Sequence, residues 1–185
     1  MLDNIQKGKL LLAEPALLQD MTFARAVILI VEYNSDGAVG FILNKPISFT
    51  ASDLVPDMNA PFPLYSGGPV EQDNLYFIHS KPEIIPFSTE ICEGVFWGGD
   101  FEAVKKQIEL GNISENEIRF FLGYSGWSAG QLESEIQSNS WIVMPNPYKN
   151  DILSKAKKDV WKEQLKTLGE KYAIWVNAPE NPEFN

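Results

Sequence analysis

Apolar positions along the chain fall into short clusters separated by Gly, Pro, Asn and Asp, the pattern of a protein with many brief strands. Arg25 to Tyr33, apolar throughout from Ala26 to Val31, reads as a central strand buried on both faces. Asn34-Ser35-Asp36-Gly37 follows as a turn, with Asp-Gly offering the positive φ that hairpins use. Ala38 to Leu43 is then the antiparallel partner, and Asn44-Lys45-Pro46 closes it because Pro cannot continue a central ladder. The same reading predicts strands over Lys9 to Ala13, Leu75 to His79, Gly94 to Trp97, Trp141 to Met144 and Tyr172 to Val176.

Helical spacing is rarer. Asp100 is placed to cap a helix over Phe101 to Leu110, with Phe101, Val104 and Ile108 on its buried face and Gly111 as its stop. A last helix is predicted over about Lys157 to Leu168, with Val160, Trp161, Gln164, Leu165 and Leu168 on one side. Residues 47 to 63 read as a loop with one helical turn near Asp53, and residues 80 to 92 as an irregular crossing. Strict alternation of strand and helix is missing, so a doubly wound parallel sheet is not indicated. The expected class is α+β: a curved, largely antiparallel, barrel-like sheet with helices packed against it. Residues 1 to 177 are expected to form one domain, and 178 to 185 a loose Pro-rich tail.

Between Arg119 and Trp141 the pattern changes most sharply. Ile118, Phe120, Phe121 and Leu122 predict a buried strand, and Gly123, Gly126 and Gly130 are expected to break it into a tight turn. Ser128 and Gln131 have the spacing of a capping box, with the Ser hydroxyl accepting from the N3 amide. Leu132 and Ile136 share one face of the helix that follows. Gly130 falls in its first turn, where glycine costs about 1 kcal/mol relative to Ala. That cost implies that a backbone element or a ligand approaches closely there. Neither a Walker A loop nor a nucleophile elbow fits: no Lys follows the glycines, and Trp127 stands where Gly-x-Ser-x-Gly needs its last glycine.

Length, at 185 residues, suffices for a real core without staples. One Cys and one His make a disulfide framework, a zinc site or an iron–sulfur site improbable, and no cofactor is expected. Met1 to Lys9 lacks an apolar signal region, and the longest apolar run is far short of the roughly 20 residues that span a bilayer, so a cytoplasmic protein without membrane attachment is expected. Net charge is −10; Lys149 to Lys171 carries seven Lys against four Asp or Glu, which is +3 and leaves −13 elsewhere. Such a balance disfavours direct nucleic-acid binding, and no basic recognition helix is visible.

The stretch GYSGWSAGQLESEI resembles the signature of the YqgE/AlgH family of small bacterial proteins. GKLLLAEPALLQDMTFARAVILIVEY with GAVGFILNKP, then YSGGPV, then VWKEQLKTLG agree in the same order, so the resemblance runs from Gly8 to Gly169. Lys45, Ser125 and Ser128 depart from residues more usual at those places in the family. The resemblance implies the same α+β architecture. It implies no particular reaction, although some members are linked by name to control of alginate synthesis, an indirect transcriptional label.

Candidate chemistry is sparse. His79 with Ser66 or Ser125 would need an acid and mutual hydrogen-bond reach to act as a triad, and nothing in the spacing supplies that. Cys92 lies between Glu90 and Glu93, which oppose a reactive thiolate. A binding surface is the alternative. Gly67, Gly68 and Pro69, then Gly98 and Gly99, then Gly123, Tyr124, Gly126, Trp127, Gly130 and Gln131, all lie at strand ends. Converged at one end of the sheet, they would form a shallow concavity walled by Tyr65, Tyr124 and Trp127, unless Trp127 is core. The expectation is a binding or regulatory protein that takes a protein partner or small ligand. The competing expectation is an enzyme, such as a hydrolase, that uses the glycine turns to hold an anion.

Overall fold

The computed structural model describes residues 5–155 and 159–179, with nothing assigned to the side chain of Lys155. Ten strands form one mixed sheet. They are β1 (Leu10–Ala13), β2 (Val27–Asn34), β3 (Gly37–Ile42), β4 (Pro46–Thr50), β5 (Pro63–Ser66), β6 (Val70–His79), β7 (Thr89–Cys92), β8 (Val95–Trp97), β9 (Ile118–Ser128) and β10 (Trp141–Met144). The main path runs β10-β1-β2-β3-β9-β6-β8-β7, with β4 on β5 and β5 on β9. Every pairing is antiparallel except β5 with β9. The sheet does not close, but β7, last in the order, returns to touch β2, and Gly8 lies against Cys92; this matches the expected α+β class and its curvature.

Alternation along the strands sorts the core into three clusters. Leu10, Leu12, Val27, Leu29, Phe41 and Phe121 face the inside of the curl. Their neighbours Leu11, Ile28, Ile30, Ile42 and Trp141 point the other way, under α3 (Gln131–Gln137). On the far half, Leu64, Phe77, Ile118 and Phe120 pack beneath α1 (Ala51–Leu54) and α2 (Phe101–Glu109). Thus the β2–β3 hairpin is buried on both faces, as its apolar run requires. Asp100 accepts from the amides of Glu102 and Ala103 at the start of α2, and Gly111 follows that helix with φ +75°. The helical turn expected near Asp53 is α1.

The open side of the curl is covered by α4 (Ile152–Lys155), α5 (Val160–Thr167) and α6 (Ala173–Asn177). Trp161 of α5 is buried and donates through Nε1 to the Ala13 carbonyl at 2.8 Å. The expected start of this helix at Lys157 lies outside the described residues. Ala178 and Pro179, the described start of the tail, accept from Arg25 Nη2 at 3.4 and 2.6 Å.

Several expectations are corrected. Tyr172 to Val176 is not a strand: a 3-10 turn at Glu170–Tyr172 leads into α6. Tyr172 and Val176 are buried while Ile174 and Trp175 between them are not, which is a four-residue spacing rather than a two-residue one. The supposed loops also hold strands β4, β5 and β7. Pro46 and Pro63 begin β4 and β5, positions where a missing amide does little harm. Gly123 does not end its strand. β9 continues to Ser128 because β3 and β6 hydrogen-bond to it on either side.

Candidate binding surface and buried polar centres

Gly123 takes φ +67° in the middle of β9, and the side-chain alternation changes phase across it. Phe121 and Tyr124 both meet the inner cluster, while Trp127 belongs to the cluster on the opposite face. Opposite this point, β6 bulges: Val70 pairs with Tyr124, and the next register partner is Leu75 with Leu122. The Gly67-Gly68 backbone crosses here at close range. A Cβ on Gly67 would lie 2.2 Å from the Gly123 carbonyl oxygen, and one on Gly68 would lie 2.3 Å from the Tyr124 carbonyl carbon. Glycine is required at both places by backbone contact.

This crossing brings together Gly67, Gly68, Gly123 and Tyr124. Pro69 is exposed beside them, and so is Gly126, whose added Cβ would meet the Tyr124 ring at 3.1 Å. Half-buried Tyr124 sets its ring edge-on to Tyr76 at 5.6 Å. The Tyr76 hydroxyl donates to Glu71, which also accepts from Asn74 at 2.9 Å. Those bonds hold the Glu71 carboxyl below its ordinary range, with the Tyr76 contact the larger cause. Burial, reinforced by the Glu71 bond, pushes the Tyr76 phenol up.

Trp127 lies apart, on the other face of β9, and Gly130 and Gln131 follow at the start of α3. Trp127 is buried against Trp141, edge to face at 5.9 Å. Gln131 Oε1 accepts from the Ser128 amide at 3.0 Å and from its hydroxyl at 3.1 Å. Half of the expected capping box is therefore present, and the other half is reversed: the Ser128 hydroxyl donates and does not cap the N3 amide. The N-cap is Gly130, with φ +76° and no atom within 4 Å of an added Cβ. Among the described residues neither a packed backbone element nor any other atom accounts for this glycine; its positive φ does. Gly98 and Gly99 are also separate, with Gly99 tight against Ile85 and Pro86.

The groups considered for catalysis are occupied structurally. His79 is fully buried, its Nε2 donating to the Gly98 carbonyl at 3.1 Å and its Nδ1 accepting from the Lys81 amide at 3.0 Å. Burial lowers its pKa, with the Gly98 carbonyl opposing. Ser125 is fully buried and donates to the Gly67 carbonyl at 3.1 Å, which ties the glycine crossing together. Half-buried Cys92 has its thiol pushed up, first by burial and then by Glu90 and Glu93. No three His, Cys, Asp or Glu side chains gather as metal ligands among the described residues. None of the described helices is long and apolar enough to cross a membrane.

Sequence reasoning missed Arg119, which is 5% exposed and lies under the Tyr65 ring, its guanidinium carbon 4.4 Å from the centroid. Its Nη1 donates to the Leu43 carbonyl at 3.1 Å and its Nη2 to the Leu153 carbonyl at 2.9 Å. Burial lowers its pKa to about 10. A charged residue alternating with Phe121 on an otherwise apolar strand was the available signal.

The AlgH-like family matches residues 10–173. A UPF0301 protein of Chlorobium phaeobacteroides is 44% identical over 184 residues, covering 99% of this chain and 97% of its own. One from Bacteroides thetaiotaomicron is 39% identical over 183 residues, covering 97% and 91%. Among solved structures, protein DIP2367 of Corynebacterium diphtheriae superposes with a TM-score of 0.75 at 22% identity, covering 94% of this chain and 93% of that one. The solution structure of AlgH from Pseudomonas aeruginosa gives 0.72 at 24% identity and covers 93% of each chain. These two share the fold. On the extent and identity of the sequence matches, the chain belongs to the AlgH-like, UPF0301 family.

Proposed function

We propose that this protein is a non-enzymatic binding protein of the cytoplasm. It acts through the surface formed by Pro69, Tyr124 and Gly126 above the Gly67-Gly68 crossing. The carrying observation is that crossing: backbone packed on backbone fixes an exposed Pro, an exposed Gly and a half-buried Tyr in one place, beside the Glu71–Tyr76 hydrogen bond. Rigid aromatic and backbone groups at a surface suit a protein partner or a small ligand at low entropic cost. Trp127, Gly130 and Gln131 serve this surface indirectly, by anchoring the strand that carries it. Any effect on transcription is then indirect, through that partner. Residues 1–177 act as one unit in this reading.

The competing reading is a hydrolase. Ser125 and His79 would be its nucleophile and base, and both are buried and already hydrogen-bonded to backbone. The test is native mass spectrometry on protein purified from its own cells. A partner or metabolite retained by the wild type and lost in Pro69→Lys and Gly126→Lys, at unchanged melting temperature, supports the proposal. Turnover of ester or phosphate substrates that disappears in a folded Ser125→Ala variant would overturn it.

A further inference from the structure

At the other end of β9, about 16 Å from Tyr124 at 3.3 Å per residue, Arg119 borders a cavity of about 140 Å³. Tyr65, Asn116, Leu153 and Ser154 line it, with Glu115 at its rim. The guanidinium has five N–H donors, of which the Leu43 and Leu153 carbonyls engage Nη1 and Nη2. Carbonyls supply dipoles and no counter-charge. Among the described residues no carboxylate lies within ion-pairing distance of Arg119, and burial rather than a partner sets its pKa. A buried cation without an opposite charge is costly, and proteins ordinarily pair it. Among the described residues Nε has no acceptor, yet the one fully enclosed orphan side-chain atom there is Arg25 Nη1. Arg119 Nε is therefore not fully enclosed, and Arg119 borders the cavity.

We propose that this cavity binds a small oxyanion, with Arg119 as the charged anchor and Asn116 as a neutral hydrogen-bond donor. A cavity of about 140 Å³ is large enough for inorganic phosphate or a short carboxylate. Arg is the residue suited to planar, paired recognition of such groups. The wall contributed by Leu153 and Ser154 belongs to α4, so a bound anion would also hold α4 against the sheet. Glu115 at the rim repels an anion and tunes affinity downward. This site is independent of the glycine surface, and either can fail alone.

Thermal unfolding tests the site, with phosphate and acetate each compared against chloride at equal ionic strength. Either oxyanion, in about hundredfold excess over its Kd, should raise Tm by about 5–11 °C. A larger shift with phosphate assigns a phosphorylated ligand, and a larger shift with acetate assigns a carboxylate. Arg119→Met should lose the response; because it also removes the bonds to the Leu43 and Leu153 carbonyls, Glu115→Gln and Ser154→Glu carry the test independently of its folding. Glu115→Gln should leave Tm unchanged and enlarge the response. Ser154→Glu places a carboxylate beside the guanidinium; it should raise Tm and abolish the response. Equal Tm in chloride and both oxyanions for the wild type overturns the proposal. So does a destabilised Glu115→Gln, which would make Glu115 the counter-ion.

Discussion

Trp127 Nε1 donates to Glu135 Oε2 at 2.9 Å, joining the end of strand β9 to helix α3 through a single carboxylate oxygen. The same oxygen accepts from Trp141 Nε1 at 2.8 Å, and Oε1 accepts from Gln131 Nε2 at 2.9 Å. Both indoles are buried, so each N–H depends on this one residue of the helix. Glu135→Ala should therefore destabilise the fold by about 2–4 kcal/mol, with on the order of 1–3 for each orphaned donor, reduced where water reaches the half-buried site. Glu135→Gln keeps an acceptor and should cost less. Urea unfolding followed by tryptophan fluorescence measures both variants, and a wild-type midpoint for Glu135→Ala would refute the role.

Two glycines that look alike in the sequence should respond oppositely to space and alike to backbone. Gly130→Ala meets no atom but must hold φ +76°, so it should cost about 1–2 kcal/mol and leave the protein folded. Gly130→Asn should cost less, because Asn tolerates the left-handed region. Gly68→Ala would drive its Cβ to 2.3 Å from the Tyr124 backbone at φ +152° and should prevent soluble expression. Thermal melts of the three variants separate strain from collision.

How much of this was legible follows from where the information lay. The β2–β3 hairpin announces itself through an unbroken apolar run and an Asp-Gly turn, because both faces are buried and the connection is local. Helix α2 does so through Asp100 and Gly111. Strand β9 past Gly123 was not legible: its glycines have the composition of a turn, and the pairing that makes them a strand comes from β3 and β6, distant in sequence. Helix α6 is not legible because Tyr172 to Val176 is apolar enough for either period, and only packing chooses. Of the candidate surface, the family signature carried the residues. It could not tell that Tyr124 and Trp127 fall on opposite faces, since that depends on the phase change at Gly123.

Hairpin burial gives a direct check of the fold. Ile28 is fully enclosed between the sheet and α3. Ile28→Asp would place an unpaired charge there, at a cost of several kcal/mol against a total stability of about 5–15 kcal/mol. The variant should be recovered in the insoluble fraction. A soluble variant with wild-type Tm would contradict the assignment.

Duplex DNA should not bind tightly. The −13 balance outside residues 149 to 171 opposes phosphate, and the +3 tract is too weakly charged to offset it. A mobility shift at physiological salt should show no complex below micromolar protein. Submicromolar, steeply salt-dependent binding would contradict this.

His79 predicts a specific pH dependence. It is the sole histidine, and its folded pKa lies below the usual 6.5 because burial disfavours the imidazolium. Below pH 6.5 the unfolded chain therefore binds a proton that the folded protein resists, and stability falls with pH until the folded pKa is reached. Above 6.5 both states are neutral and this contribution is fully present. Carboxylates such as Glu117, held low chiefly by its bond from Lys81, titrate at lower pH and leave the window from 5 to 7 to His79. One proton limits the slope to about 1.4 kcal/mol per pH unit. Denaturant unfolding across that window should show wild-type stability declining toward pH 5. His79→Gln, which can still donate to the Gly98 carbonyl, should start lower and stay flat. A wild-type profile without slope from pH 7 to pH 5 would mean that the imidazole is not held neutral, and the structural account of His79 would fail with it.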